Sequence, residues 1–302
     1  MCGGTSLLNV KVGKYELDVP FSEKRSPTLN TPFALYHYVP GRSLTRVMGN
    51  PAGNPAYANA NDFAIGDNQP GLELFGTKDI ELVDGTFRYS LNVLSTNTTN
   101  VLGAGGGRAI QFYGHATQSF GGYGIVSGQR IGVFGMYGRA PTVGNAAIGS
   151  GEQTGTGEQS RVFSRFGIDF SLTALGKVNV FGAYMIANDS ADLFRSQGVT
   201  NAQASRWNGG FVQADYNFVP QGVLYYRFDW IRNNFQGDAT FDKRFGNVEG
   251  HTVAARYHVM VSNAGGGCSR WQDLAVTRWR EDATRDHWGS FCYVRDQASG
   301  AF

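Results

Sequence analysis

A chain of 302 residues with a net charge of +2 and no basic block carries no charge signature of a nucleic-acid partner. Apolar residues make up 41%, yet no run approaches the roughly 18 consecutive apolar residues of a membrane-crossing helix. The 42 Gly, 21 Phe and 14 Tyr favour strands and turns over helices. Cys2, Cys268 and Cys292 are odd in number and widely spaced, so they form no disulfide framework. No C-x-x-C-H attaches a haem, and no cofactor is expected. Residues 1–20 lack the charged, apolar, small layout of a signal peptide, so the start reads as lying inside a domain.

Period-2 alternation is the main signal along the chain. Leu8, Val10 and Val12 alternate with Asn9, Lys11 and Gly13. Residues 15–70 then hold seven of the nine prolines and little alternation, which reads as a long functional loop at the mouth or in the lumen of a barrel. Its charged piece, YELDVPFSEKRS (15–26), is expected near a pore. A strand follows near Leu72–Phe75. Next, Phe87, Tyr89, Leu91 and Val93 alternate with Arg88, Ser90 and Asn92. The pattern recurs from Ile110, Ile131, Phe166 and Val178, then through Val212–Trp230, and from Val253 to Val261. These apolar columns contain no charge. The opposite columns hold Lys, Arg, Asp, Asn, Gln, His, Ser, Thr and Gly.

The connections give a second signal. TALG (173–176), VPQG (219–222) and SGQ (127–129) read as tight turns. Residues 139–160, 187–205 and 235–248 read as long loops. Such alternation of short and long connections is the habit of membrane β-barrels. In the hairpin around VPQG, a three-residue turn, Val219–Pro220–Gln221, pairs Phe218 with Gly222. Val212 then faces Phe228, Ala214 faces Tyr226 and Tyr216 faces Leu224. On the other side Gln213 faces Arg227, with Asp215 as a diagonal neighbour. After Gly267 the alternation stops. The tail 268–302 holds three of the five Trp, two of the three Cys and no Lys. It reads as an amphipathic helix over Trp271–Trp288, or as a frame-shifted, unrelated or disordered end.

Catalytic motifs are absent. GAGGGR (103–108) and GSGEQTG (149–155) fit neither phosphate-loop nor dinucleotide spacing. The five histidines show no metal-ligand pairing, and His115 and His258 read as solvated groups on the polar strand face. There is no G-x-S-x-G elbow. Asp169, Asp215 and Asp229 could share a cavity as glycosidase carboxylates do, but they read better as balancing charges for Arg165 and Arg227. No enzyme is expected.

The expected fold is all-β: an antiparallel up-and-down transmembrane β-barrel over residues 1–267, with about 10–11 strands present and the barrel incomplete. Strands longer than the usual five or six residues, aromatic-rich apolar columns and a polar opposite face favour lipid over a protein core. VKVGKYELDVPFSEKRS (10–26) resembles the early strand and loop of Gram-negative porin-like proteins, in which a V-G-K/Q strand precedes a P-F-S loop. GVLYYRFDW and HTVAARYHVMVS are similar to generic outer-membrane strands. The resemblance covers about residues 5–262 and implies a bacterial outer-membrane location. It also implies outer-membrane lipid as a partner and passive diffusion of small solutes or ions. In that channel Lys11, Arg88, Arg165, Arg227 and Arg256 line the lumen, balanced by Asp169, Asp215 and Asp229. Two other readings stay open. One is a barrel sheath gripping a periplasmic or surface cytochrome. The other is a secreted soluble β-sheet protein that binds glycans. The oligomeric state is not legible.

Overall fold

The computed structural model describes residues 6–21, 68–97, 108–121, 129–141, 160–174, 176–191, 201, 203–235, 247–263, 266–283 and 285–299. They form one antiparallel meander of twelve strands, each hydrogen-bonded to the next in sequence. In order these are β1 (Ser6–Glu16), β2 (Asn68–Ile80), β3 (Gly85–Asn97), β4 (Arg108–Phe120), β5 (Gln129–Pro141) and β6 (Ser160–Ala174). They continue with β7 (Val178–Asp189), β8 (Ser205–Val219), β9 (Gly222–Phe235), β10 (Val248–Asn263), β11 (Gly266–Ala283) and β12 (Arg285–Ser299). A 3-10 turn, Glu81–Val83, closes the β2–β3 hairpin through Asp84, whose N–H donates to the Glu81 carbonyl.

The up-and-down antiparallel arrangement agrees with the sequence reading, as do the ten strands β1–β10, and β11 and β12 add two in the tail. The closed barrel is not what the described residues form. The order is linear, with β1 and β12 at its two ends, so a row of backbone groups on each end strand has no neighbouring strand. The helix expected over Trp271–Trp288 gives way to β11 and β12, paired continuously from Ser269–Ser299 to Ala283–Arg285. Cross-strand pairing satisfies backbone groups whatever the side-chain pattern, so a weak alternation does not prevent a strand.

The β8–β9 hairpin keeps the expected core register: Val212 opposite Phe228, Ala214 opposite Tyr226, Tyr216 opposite Leu224, and Gln213 opposite Arg227. Its tip differs. Val219 pairs with Gly222 across a two-residue turn, and the register shifts between Asn217 and Val219. The extra residue is taken up as a bulge beside the turn, which leaves the strand faces unchanged. The TALG turn is present, with Gly176 at φ +63°, a left-handed conformation that costs a glycine nothing. The SGQ turn and most of the long loops lie outside the described residues.

The two faces of the sheet are unlike. On one face Val10, Val12, Leu91, Ile110, Phe112, Ile131, Val133, Phe166, Ile168, Ile186 and Val253 are all exposed. On the other face most side chains of β3–β10 are buried. A short segment, Leu17–Phe21, follows β1 and lies on this buried face. Phe21 reaches Phe181 of β7 and Phe211 of β8, with ring centroids 5.1 and 5.3 Å away. Six or seven strand spacings on a flat sheet amount to roughly 28–34 Å. Five extended residues span at most ~18 Å. The sheet is therefore curled, with the buried face concave and the apolar face convex.

Candidate functional site: the concave face and the segment seated on it

The concave face carries charge, and nearly all of it is paired. Arg165 on β6 donates from Nη2 to both carboxylate oxygens of Asp189, at 2.8 and 3.0 Å. Its Nη1 donates to the carbonyls of Ser164 and Asn188. Trp207 on β8 donates its indole N–H to the same Asp189 at 3.1 Å, and its ring lies under the guanidinium. Arg227 donates from Nε to Asp229 at 2.7 Å, and its guanidinium carbon sits 3.8 Å from the centroid of the Phe211 ring. Lys11 reaches Glu73 at 2.7 Å, and Glu73 also accepts from Ser90. Each pair offsets part of the desolvation cost that burial imposes on the separate ions.

A second cluster gathers around Leu17–Phe21. His115 on β4 sits between two acceptors: the Asp18 carbonyl, 2.8 Å from Nδ1, and the Asp169 carboxylate, 3.0 Å from Nε2. Both partners accept, so both ring nitrogens donate, as in an imidazolium. The Asp18 carboxylate lies 3.2 Å from Arg88 and 3.4 Å from His115. Tyr113 donates to the Asp18 carbonyl at 2.7 Å, and Arg130 donates to the Pro20 carbonyl at 2.6 Å. The Arg130 guanidinium also covers the Phe21 ring, 5.2 Å from its centroid. Room for Asp169 comes from Gly132 on the neighbouring strand. A Cβ there would lie 2.3 Å from an Asp169 carboxylate oxygen.

The residues expected to line a pore thus occupy one face. Arg165, Asp169, Arg227, Asp229 and Arg256 are 0–3% exposed and Asp215 is 8% exposed. Lys11 and Arg88 are more open. The structure places these groups in a packed interior with Phe134, Phe181, Phe211 and Tyr225 among them, where a water-filled lumen was expected. Arg227 takes Asp229, where Asp215 was the expected neighbour, Arg165 takes Asp189, and Asp169 takes His115. His115, read as solvated, is buried and held on both sides. The His258 side chain lies outside the described residues. Sequence reasoning singled out the charged piece 15–26 without giving Asp18 a role, and missed Glu73, Arg130, Asp189 and Trp207. A charge at a strand end, such as Asp189, or in a proline-containing loop, such as Asp18, carries no period-2 signal. Among the described residues no cluster of His, Cys, Asp or Glu is placed to hold a metal ion, and no helix is long and apolar enough to cross a membrane.

At the other end of the sheet, β10, β11 and β12 pair in continuous register. Trp279 has Gly250 as its register partner on one side and Gly289 on the other. It is on this end that the match to a known family falls. Residues 253–302 match the family model described as Glycosyl hydrolase 94, supersandwich domain. Over 44 residues, 15% of this chain, the sequence is 41% identical to the cyclic beta-(1,2)-glucan synthase NdvB of Rhizobium meliloti (strain 1021). That stretch is 2% of the relative's length. No solved structure matches the chain.

The likeness is therefore to a carbohydrate-related β domain, and the family match covers only the last 50 residues of the chain. It overturns the resemblance to outer-membrane porins and to the sheaths of cytochrome conduits, and the transport vocabulary that went with it. The motifs behind that resemblance, V-G-K and P-F-S, are each three residues long. Alternating strands joined by turns are common to any two-faced antiparallel sheet, so the remaining likeness was one of architecture.

Proposed function

We propose that this protein is a carbohydrate-binding β-sheet protein, with the glycan taken by the β10–β12 end and the convex face seated against lipid. The observation that carries the first half is the supersandwich match over residues 253–302. The relative's name points to a glucan as the class to test. The three tryptophans Trp271, Trp279 and Trp288 are within two adjacent strands, and flat indole rings are suited to contact with the C–H face of a sugar. Catalysis forms no part of the proposal. The second half rests on the convex face, whose apolar residues run across β1–β10. An apolar surface of that continuity favours burial. The location we infer on that ground is the bacterial outer membrane.

Titration of the full chain in detergent with cyclic β-(1,2)-glucan, followed by calorimetry, tests the first half. Saturable binding tighter than about 1 mM is expected, weakened at least about tenfold by Trp279→Ala. A flat titration sinks the glycan reading. Alkaline extraction of membranes from expressing cells tests the second half separately. Retention in the pellet is expected, and release into the supernatant sinks lipid seating while leaving glycan binding intact.

A further inference from the structure

The segment Leu17–Phe21 is held as a bound ligand is held, and this involves strands far from the glycan-related end. Three of its polar groups meet groups from the wall. The Asp18 carboxylate faces Arg88 and His115, the Asp18 carbonyl accepts from Tyr113 and His115, and the Pro20 carbonyl accepts from Arg130. Its apolar end is seated as specifically. Phe21 lies between the rings of Phe181 and Phe211, tilted at 34° to one and edge-on at 72° to the other, with Arg130 over its face. Leu17 is fully buried. The wall residues come from β3, β4, β5, β7 and β8, so no single hairpin builds this cradle.

Two features separate the cradle from ordinary core packing. Its occupant is not a strand of the sheet: Leu17–Phe21 lies outside β1, which ends at Glu16, and takes no place in the ladder. Its recognition elements are also the ones that select ligands in trans. A cationic pair receives a carboxylate, ring and guanidinium donors read backbone carbonyls, and an aromatic slot takes a ring.

We infer that the concave face between β3 and β8 is a binding site for an extended acidic–aromatic peptide segment, and that Leu17–Phe21 is its built-in, displaceable occupant. Release of the segment uncovers Arg88, His115 and Arg130 beside Phe181 and Phe211. The site then accepts another extended segment with a carboxylate three residues before an aromatic ring.

The test uses the full chain in detergent with Asp18→Arg and Phe21→Ala together, which set a cation against Arg88 and empty the aromatic slot. The probe is a fluorescent acetyl-Leu-Asp-Val-Pro-Phe-amide peptide. Saturable binding to the double variant is expected, with at least tenfold weaker binding to the parent chain and at least tenfold loss when Arg88→Gln is added. Equal binding to parent and double variant, or none to either, overturns the inference. Should the double variant fail to fold, Phe21→Ala in an Ala183→Cys background keeps the question open to measurement. Ala183 is buried on β7 and is the register partner of Phe211. Labelling of that thiol by a charged maleimide is expected to rise at least tenfold over the same cysteine in a chain that keeps Phe21. An unchanged rate shows that the segment covers nothing and overturns the inference as well.

Discussion

The body of the sheet, β3–β10, alternates apolar and polar residues along its strands, and the sequence of the end formed by β11 and β12 does not. In the body, the convex columns that pass through Phe112, Val133, Ile168, Val212 and Val253 are apolar and open, and the concave columns hold the buried ions. Across β10–β11 the register brings Gln272, Arg278 and Arg280 into line with Tyr257, His251 and Glu249. It brings Asp273 and Glu281 into line with Arg256 and Val248. Charges therefore fall in both columns. The connections change at the same place. Long and short links alternate from β5 to β10, while β11 turns into β12 through residue 284 alone. The family match falls at this end. Antiparallel pairing continues through both regions, so pairing and face sorting are separate properties. Backbone hydrogen bonds secure the first, and the medium on each side selects the second.

The largest effect is expected where the body hides charge. Arg165→Ala leaves Asp189 buried beside Trp207 without its guanidinium, an uncompensated ion that costs about 3–5 kcal/mol. Urea unfolding of the detergent-solubilised chain measures it, and a loss below about 1 kcal/mol would show that the ion is solvated after all. Next comes the convex face. If lipid covers it, Ile168→Arg costs about 2–4 kcal/mol in bilayers, whereas Gln272→Arg in β11 changes stability by no more than about 0.5 kcal/mol. Equal costs at the two positions would erase the distinction between the regions.

A smaller effect is expected at Gly167. A Cβ there would lie 2.3 Å from the Tyr184 carbonyl and 2.4 Å from the Phe134 ring. The backbone contact cannot be relieved by a rotamer change, so Gly167→Ala is expected to cost about 1–3 kcal/mol. Thermal unfolding reads this directly, and a neutral result would mean that β6 and β7 have slack. The smallest effect belongs to Arg232 and Glu249, a half-buried pair at 2.9 Å. Arg232→Ala is expected to cost about 0–1 kcal/mol, and less as salt is raised. A loss comparable with that of Arg165→Ala would show that burial does not rank these ion pairs.

Legibility followed the same division. Phe166, Ile168, Phe170 and Leu172 announce β6 by their spacing, and Val212–Trp230 yields a hairpin whose core register was readable to the residue. Period-2 alternation is a one-dimensional property, so it survives in a bare sequence. The hairpin tip was misjudged because both a two-residue and a three-residue turn leave the same face columns, differing only by a bulge at Phe218. In the tail, columns mixed as in Trp271–Asp273 against Gln272–Leu274 carry no such period, and the strand went unseen.

The candidate site was legible in composition and illegible in pairing. The sequence established which residues share the polar face, because strand parity assigns Arg165, Asp169, Arg227 and Asp229 to it whatever the curvature. It also established that the opposite face is apolar over most of its extent, interrupted by Arg232, Glu249 and His251 on β9 and β10. Only the tertiary structure decided that the sheet curls without β1 meeting β12 and that the polar face becomes a packed interior. Curvature likewise decided that Asp18 and Phe21 cross that interior to reach β3–β8. Those contacts join residues separated by 70 to 190 positions. They depend on how far each strand twists against the next, a quantity summed over the whole sheet and recorded at no single residue.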